Sequence, residues 1–300
     1  MERERGGSVS VLALDVGGTF VKYGIFKEDG SLTEKGKFVT PMDSAEDFYR
    51  KLAGLIEERG DEITGVGMSF PGMIDTGNQL AIKAGALSFL HGQYIGRELK
   101  KHLKREIPVW FENDANCAGI AEQMDGNAKD VSDFLLVTIG TGIGGCVCLN
   151  GEILHGKRFS AGEFGMMITD YSTNGYKTLH ELASTSALVS EYAEMRGISS
   201  DGVEGYQIMS ELDDPKVLKV VENWAAYVAI CLFNLAVTFD PERILIGGGI
   251  SQNKDLIGLI EKQLDRIPSW KDFRTEIKPC KFFNDAGLYG AYWSYMRRKA

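Results

Sequence analysis

The sequence lacks an excess of positive charge: its 300 residues carry 33 Lys and Arg against 42 Asp and Glu, a formal net charge of −9. A protein that binds nucleic acid needs a basic surface, so this composition argues against such a partner. No apolar run approaches the roughly 18 residues of a membrane span, and the N-terminal MERERGGS has no apolar core typical of a signal peptide. These absences predict a cytoplasmic protein that binds neither nucleic acid nor membrane.

Cysteine is too scarce and too scattered for a structural metal centre. The five cysteines are Cys117, Cys146, Cys148, Cys231 and Cys280. They contain no CxxC pair and form no cluster with histidine, whereas a structural zinc site needs four such ligands at short spacings. The sequence therefore predicts no structural zinc, and reduced thiols are the expected state in the cytosol.

Apolar periodicity divides the chain into two halves with the same plan, a group of strands followed by alternating helices and strands. The strands expected at the start of the halves cover residues 9–16, 21–26 and 35–40, and residues 134–140 and 144–151. A long helix is expected over about 215–239. We predict an α/β fold with an N-terminal lobe over 1–120, completed by a C-terminal helix at about 285–300, and a C-terminal lobe over 121–284.

Two glycine turns follow strands at equivalent places in the two halves. The first contains Asp15, Gly17, Gly18, Thr19 and Lys22, and the second contains Thr138, Gly140, Thr141 and Gly142. Backbone N–H groups and hydroxyls in such turns can bind phosphate oxygens, and Asp15 can face a phosphate-bound Mg²⁺. Each turn alone is also compatible with a plain β-hairpin. Two matched turns favour a nucleotide triphosphate that is held from both lobes.

A third glycine run, Gly247, Gly248 and Gly249, joins a strand to a helix. Flat backbone at such a turn allows a purine to lie against it, because glycine has no side chain to keep the base away. Taken alone, a plain turn between strand and helix explains the run equally well. The glycines become informative only beside the two phosphate motifs.

Asn113 and Asp114 connect a predicted strand to a predicted helix in the segment ENDANCAGIAE. A carboxylate at a helix N-terminus is stabilised as an anion, so Asp114 can accept a proton from a sugar hydroxyl while Asn113 orients the sugar. Asn and Asp are also the preferred N-cap residues, so capping alone is the alternative.

Five segments, in this order and at this spacing, resemble the ROK family of repressors, open reading frames and sugar kinases: DVGGTFVK, SFPGMID, ENDANCAGIAE, TIGTGIGG and ILIGGGIS. The resemblance covers about residues 9–295 and implies the two-lobed actin-like fold of sugar kinases and Hsp70, which is related to ribonuclease H. It implies that the first two glycine turns bind the phosphates of ATP, with Mg²⁺ near Asp15, and that the third run meets the adenosine. Asn113 would bind the sugar, and Asp114 would be the catalytic base toward a primary hydroxyl, O6.

This resemblance implies an ATP-dependent carbohydrate kinase that forms a homodimer. ROK repressors are similar but carry an added N-terminal DNA-binding segment, for which the sequence leaves no room before its first strand. The alternative is a non-catalytic sugar-sensing ROK regulator without a DNA-binding domain, and the presence of Asp114 argues against it. A radical-enzyme activator of the same superfamily would need cluster-ligating cysteines, which the scattered cysteines do not suggest.

The sequence departs from the family at its zinc loop. Gly162–Gly165 matches a family motif whose Glu, here Glu163, binds sugar. Met166 stands where the family has a zinc-binding His, and no cysteine cluster follows. The run SAGEFGMM is otherwise small or apolar, and a buried Glu163 without a partner would be costly, which agrees with the sugar-binding role that the resemblance implies. Packing of Met166 in the core is the alternative explanation of that residue.

Further sugar-binding residues are less firmly placed. His180 aligns with the family's second sugar-binding Glu, although a shift of one residue would put Glu181 there, and Asn78 and Gln79 are nearby polar candidates. Together with the missing zinc ligands, these changes indicate a zinc-free subclass similar to β-glucoside kinases or glucokinases, with a pocket that admits a substituent on the sugar.

Overall fold

The described residues of this computed structural model, 10–172 and 175–299, form fourteen strands and nine α-helices. The strands are β1 (Ser10–Val16), β2 (Phe20–Lys27), β3 (Leu32–Val39), β4 (Gly65–Phe70), β5 (Ile74–Asp75), β6 (Leu80–Ala81), β7 (Val109–Asn113), β8 (Phe134–Ile139), β9 (Ile143–Leu149), β10 (Glu152–Ile153), β11 (Ile168–Asp170), β12 (Lys177–Thr178), β13 (Arg243–Gly247) and β14 (Glu276–Pro279). The helices are α1 (Ala45–Glu58), α2 (Ile95–Lys100), α3 (Asp114–Asp125), α4 (Leu179–Ala183), α5 (Thr185–Arg196), α6 (Gly205–Ser210), α7 (Pro215–Phe239), α8 (Leu256–Leu264) and α9 (Ala286–Lys299).

The chain divides into two units, each with its own hydrophobic core. The first unit takes the chain up to Met124, together with Gly156–Ser160 and the segment from Asp285 onward. The second unit contains Asp125–His155 and Ala161–Asn284. The lobe boundaries expected from the sequence stay a prediction, and the units differ from them most at Gly156–Ser160.

The two units contain five-stranded sheets of the same topology. The order is β3-β2-β1-β4-β7 in the first unit and β10-β9-β8-β13-β14 in the second. In each sheet, the three strands that come first in sequence form antiparallel pairs. The two strands that come later extend the same sheet in parallel. The expected duplication of architecture is therefore present, and β1 and β8, which precede the two glycine turns, occupy equivalent central positions.

The sequence predicts most element boundaries closely, because turn and capping residues mark them. Helix α1 begins at Ala45, directly after Ser44, whose hydroxyl accepts the Asp47 N–H at 3.0 Å as a capping residue does. The strand expected from Val9 begins at Ser10, and Val9 lies outside the described residues. The apolar face of α1 packs in the core of the first unit.

Helix α8 does not follow β13 directly. A short 3₁₀ turn, Gly249–Gln252, comes first, and α8 begins only at Leu256. The Asn253 side chain accepts the Asp255 N–H at 2.9 Å and so stabilises a local turn that competes with the helix.

Helix α7 corrects the expectation that no segment approaches the length of a membrane span. By length and composition alone, its 25 residues are apolar enough to cross a membrane. In the structure, 56% of its most apolar window is buried within the protein. Trp224, fully buried, donates its indole N–H to the Ala183 carbonyl at 2.9 Å. These are the properties of a core helix of the second unit.

Candidate active site

Asp15 lies near the end of β1 and is fixed by three neighbours. Its Oδ2 is 3.2 Å from Lys22 Nζ, and the buried Ser69 hydroxyl donates to Oδ1 at 2.9 Å. Gly287, in the first turn of α9, lies directly against the carboxylate, because a Cβ at that position would collide with Oδ1. A helix N-terminus attracts negative charge, so α9 and Lys22 both hold the carboxylate in place.

The first glycine turn is a hairpin between β1 and β2, the geometry that the plain-hairpin alternative predicts. The Gly17 N–H donates to the Phe20 carbonyl at 3.0 Å, and the Thr40 hydroxyl donates to the Gly17 carbonyl at 2.6 Å. Thr19, at the tip, is exposed. A hairpin does not exclude phosphate binding, since the exposed tip still presents Gly18 and the Thr19 hydroxyl.

The sequence allows two roles for Asn113 and Asp114, helix capping and sugar chemistry, and the contacts of the two residues differ. Asn113 Oδ1 accepts the Asn116 N–H at 2.9 Å and thus caps α3. The Asn113 amide donates to the Gly72 carbonyl at 2.7 Å and to Asp114 Oδ1 at 3.0 Å. Asp114 Oδ1 also accepts the Ala115 N–H at 2.8 Å, and Asp114 is exposed. The cap is therefore Asn113, which leaves the Asp114 carboxylate oriented and accessible.

Gly72 explains why the segment SFPGMID can reach Asn113. Its φ is +90°, a conformation that favours glycine, and a Cβ there would collide with the Lys83 carbonyl. The turn brings the Gly72 carbonyl to the end of β7, where it accepts the Asn113 amide. This contact joins two of the segments on which the family resemblance rests.

Glu112 is a buried carboxylate that the sequence reasoning did not assign. It is 3% exposed, and its Oε1 accepts the Asn113 N–H at 2.9 Å and the Asn116 side-chain amide at 3.0 Å. Its position one residue before Asn113 in a strand was the available signal, since neighbouring residues of a strand point to opposite faces. Glu112 therefore supports the strand-to-helix junction from the buried side.

Cys117 shows that carboxylates concentrate at this junction. Burial raises the pKa of the Cys117 thiol, and the negative charges of Glu112, Asp15 and Asp114 raise that pKa further. All three carboxylates thus lie within electrostatic range of one thiol in the first unit. The structure thereby brings the proposed Mg²⁺ ligand and the proposed base to the same region.

The second glycine turn is also a hairpin, between β8 and β9. The Gly140 N–H donates to the Gly142 carbonyl at 2.9 Å, and the Thr138 hydroxyl accepts the Gly144 N–H at 3.2 Å. Thr138 therefore shapes the turn from within, whereas Thr141 is exposed at its tip. Outside the hairpin, the Thr185 N–H donates to the Gly140 carbonyl at 2.8 Å and ties the turn to the start of α5.

The third glycine run approaches the second turn through Gly248. Its φ is +90°, and a Cβ there would collide with the Ile139 carbonyl, so only glycine permits this contact. Gly249 has open space where a side chain would stand. Gly140, Thr141 and Gly249 line one cavity of about 870 Å³ that lies within the second unit. The structure thus brings together the two motifs predicted to bind phosphate and adenosine.

The cavity has further polar walls that sequence reasoning missed. They come from the first turns of α5, the loop before α6, α6 itself and the turn after β13, and include Thr185, Ser186, Ser190, Glu204, Tyr206 and Gln252. Single hydroxyls and amides on helices carry no spacing signal, because serine and threonine are common at helix starts for capping alone. The sheet topology is what places them together.

Glu163 and Met166 are exposed, so the alternative in which Met166 packs in the core is wrong. Met166 is 65% exposed. Phe164 takes the core position instead, packed where a Cβ on Gly145 would collide with its ring. Gly162 has a φ of +87° and lies against the Gly145 backbone. Because of this close approach, Glu163 and Met166, on either side of Phe164, face outward.

His180 and Glu181 can now be distinguished by their contacts. The Glu181 carboxylate accepts the Thr178 N–H at 2.9 Å and the Thr178 hydroxyl at 2.7 Å, which lowers its pKa. This capping box commits Glu181 to the start of α4. The His180 ring packs on Gly142, where a Cβ would lie 2.8 Å from Cε1. His180 is therefore the residue beside the second glycine turn.

The described contacts of Asn78 involve none of the other candidate site residues. In the turn between β5 and β6, its N–H and its side-chain amide donate to the Asp75 carboxylate at 2.9 and 2.8 Å. Gln79 points inward and donates to the Val109 carbonyl at 2.8 Å. Among residues 10–172 and 175–299, no group of three or more His, Cys, Asp or Glu side chains has the arrangement of a metal site.

The two sheets of equal topology, each with a glycine turn after its central strand, define an α/β protein of the actin-like class. The ROK family model matches residues 11–298. A β-glucoside kinase of Listeria monocytogenes is 32% identical over 298 residues, 97% of this chain and 99% of the relative. The chain belongs to the ROK family.

Two solved structures agree with this assignment. A ROK family protein from Streptococcus pneumoniae in complex with sucrose is 29% identical, with a TM-score of 0.86 over 97% of this chain and 99% of that one. A ROK family glucokinase from Streptomyces griseus in complex with glucose and AMPPNP is 25% identical, with a TM-score of 0.80 over 97% and 100%. The predicted fold class, α/β and actin-like, and the predicted enzyme class, carbohydrate kinase, are confirmed.

Proposed function

We propose that the protein transfers the γ-phosphoryl group of ATP to the O6 hydroxyl of a hexose unit, and that its acceptor is a glycoside, in the first place a β-glucoside. The observation that carries the proposal is the exposed Asp114 carboxylate, which Asn113 orients at the start of α3. Similarity to a β-glucoside kinase and to a sucrose-bound ROK protein supports a glycoside over a free hexose.

Asp114 supplies the acid–base chemistry of the transfer. Its carboxylate accepts the proton of the O6 hydroxyl as that oxygen bonds to the γ-phosphorus and the bond to the β-phosphate oxygen breaks. The Asn113 amide and the Ala115 N–H both donate to Asp114 Oδ1, so two hydrogen bonds hold the orientation of this exposed carboxylate. Phosphoryl transfer depends mainly on positioning, which this fixed carboxylate provides.

The glycine turns hold the donor. Gly18 and Thr19 in the first unit, and Gly140, Thr141 and Gly142 in the second, present amides and hydroxyls that suit phosphate oxygens. Gly247, Gly248 and Gly249 form the turn at the cavity where the adenosine would lie. Asp15 and the neighbouring Lys22 fit a phosphate-bound Mg²⁺, because a carboxylate oxygen is a hard ligand and the amine offsets phosphate charge. Bound Mg²⁺ would neutralise charge on the β- and γ-phosphates.

The sugar contacts are proposed from the family resemblance and from the exposure of single side chains. We assign hydrogen bonds with the sugar to Asn113, Glu163 and His180, and a weaker contact to Asn78, whose side chain already binds Asp75. Met166 is exposed beside Glu163, where the family resemblance implies a zinc-bound histidine. An exposed thioether is a flexible apolar surface, so Met166 favours an aglycone or second sugar ring over a bare hydroxyl.

The experiment is a coupled ADP-release assay with a panel of acceptors at one ATP concentration: cellobiose, methyl β-glucoside, glucose, mannose and N-acetylmannosamine. The proposal expects a higher kcat/KM for β-glucosides than for the free hexoses, and no turnover of a 6-deoxy glucoside. Product NMR should place the phosphate on O6. A clear preference for glucose or N-acetylmannosamine would overturn the glycoside assignment, and turnover of the 6-deoxy compound would overturn O6.

We also propose a cytoplasmic homodimer. Ile230 and Val237, seven residues apart on α7, are 36% and 45% exposed, and Phe273, whose ring packs on Phe233 of α7, is 41% exposed. Exposed apolar groups that lie together mark interaction surfaces. A second copy of the chain would cover this surface. Sedimentation velocity of the wild type and of Ile230→Asp/Val237→Asp tests it: a dimer that the double variant converts to a monomer supports the proposal, and a wild-type monomer contradicts it.

A further inference from the structure

Tyr206 is an exposed aromatic side chain on the wall of the second-unit cavity. It is 68% exposed and stands second in α6. The same cavity is lined by Thr141 of the second glycine turn and by Gly249 and Ile250 of the third. Among the lining residues that the structure gives for this cavity, Tyr206 is the aromatic one.

The start of α6 is held at a fixed distance from both glycine motifs. A Cβ on Gly205, the residue before Tyr206, would lie 2.6 Å from Thr185 Cγ2 and 3.9 Å from Ile250 Cδ1. Thr185 is itself bound to the Gly140 carbonyl through its N–H at 2.8 Å. Gly205 therefore docks α6 between the phosphate turn and the 3₁₀ turn Gly249–Gln252, with which α6 is in contact. Tyr206 follows on this anchored backbone.

The cavity wall also includes a polar side-chain atom that a ligand could contact. The Thr185 hydroxyl oxygen is buried and has no hydrogen-bond partner among the described residues. A buried hydroxyl without a partner costs free energy, which a ligand in the cavity would recover. The cavity lining combines apolar side chains, Val189, Val203 and Met209, with polar ones such as Glu204 and Gln252. A flat ligand with a polar edge and an apolar face suits these walls.

We infer that Tyr206 stacks on the nucleobase of the phosphoryl donor and supplies much of the affinity for a nucleotide over a donor without a base. This inference rests on the proposed function, since it names a residue of the same donor site. Aromatic stacking recognises the face of a base and is tolerant of its edge, so Tyr206 favours a donor that has a base over one that has none, without selecting adenine. Thr185 contributes a hydrogen bond next to the second glycine turn.

The test is isothermal titration of AMPPNP and of inorganic tripolyphosphate, each with Mg²⁺, into the full-length wild type, Tyr206→Ala and Tyr206→Phe. Tyr206→Ala should weaken AMPPNP binding about fivefold or more, the range of one base–aromatic stack. Tripolyphosphate affinity should stay within about twofold. Tyr206→Phe should bind AMPPNP like the wild type, because stacking needs the ring and not the hydroxyl.

The matched control is Tyr94→Ala, which removes an exposed tyrosine of the first unit that does not line this cavity. It should leave both affinities unchanged. Equal AMPPNP affinity for the wild type and Tyr206→Ala would overturn the inference, as would a parallel loss of tripolyphosphate binding, which indicates structural damage to the cavity. Failure of the wild type to bind AMPPNP at all would instead contradict the proposed function.

Discussion

The side-chain amide of Asn113 donates to Asp114 Oδ1 at 3.0 Å while the Asn113 oxygen caps α3. One residue therefore links helix stability to the orientation of the proposed base. Asn113→Ala should lower the free energy of unfolding by about 1 kcal/mol and reduce kcat. Chemical denaturation and the coupled assay measure the two effects.

Asn113→Ser separates these two effects, because serine caps helices well but has no amide to donate to Asp114. We expect near-wild-type stability and a kcat as low as that of Asn113→Ala. If Asn113→Ser is fully active, Asn113 acts only as a cap.

Gly287 should tolerate no side chain. A Cβ at this position would collide with the Asp15 carboxylate, so Gly287→Ala should displace Asp15 from Lys22 and Ser69. We expect a kcat/KM for ATP reduced at least tenfold, and a lower melting temperature.

Gly54→Ala is the matched control, since Gly54 lies within α1 and has nothing within 4 Å of the added Cβ. It should raise the free energy of unfolding by about 0.5–1 kcal/mol and leave activity unchanged. Equal activity of Gly287→Ala and Gly54→Ala would disprove the role of Asp15 in ATP binding.

The buried thiols predict the alkaline limit of stability. Burial raises the pKa of Cys231 to about 12, and burial with the nearby carboxylates raises the pKa of Cys117 well above its ordinary value. In the unfolded chain both thiols ionise near pH 8.5 while the folded protein keeps their protons, so stability is complete below that pH and falls as pH rises toward the folded pKa. Each thiol contributes up to about 1.4 kcal/mol per pH unit in this window.

Denaturation at pH 8 and pH 10 measures this dependence, and Cys231→Ala is the comparison. The loss of stability between the two pH values should be smaller in Cys231→Ala than in the wild type. The same loss in both proteins would show that Cys231 is not the source.

Met166 should determine the choice between glycoside and free hexose. Met166→His replaces an exposed apolar side chain by a hydrogen-bonding one, so it should lower kcat/KM for β-glucosides relative to glucose by several-fold. Met42→His, at a 45% exposed methionine of the first unit, should leave the ratio unchanged. An unchanged ratio in Met166→His would remove Met166 from the acceptor site.

The sequence was most informative where local chemistry dictates structure. Ser44 predicts the start of α1, and the glycine motifs predict the hairpin tips and the turn at Gly248, because each depends on neighbours in the chain. Exposure was harder to predict. Glu163 and Met166 face outward because Phe164 takes the core position and Gly162 packs on Gly145, and that contact joins β9 to a loop that the sequence does not pair with it.

The candidate site divides in the same way. Asp15, Asn113 and Asp114 were found from strand ends and glycine spacing. Glu112, Thr185 and Tyr206 were not, since their positions depend on burial and on how α5 and α6 pack, which no short motif records. The choice between His180 and Glu181 likewise needed the capping contact with Thr178.

The most direct test of the account is the turnover of Asp114→Asn with saturating ATP and β-glucoside. The substitution keeps the size of the side chain but removes the group that accepts the O6 proton. We predict that kcat falls by about 10² to 10⁴ while AMPPNP affinity and melting temperature stay near their wild-type values. A variant that still turns over at the wild-type rate would contradict the assignment of Asp114 as the base.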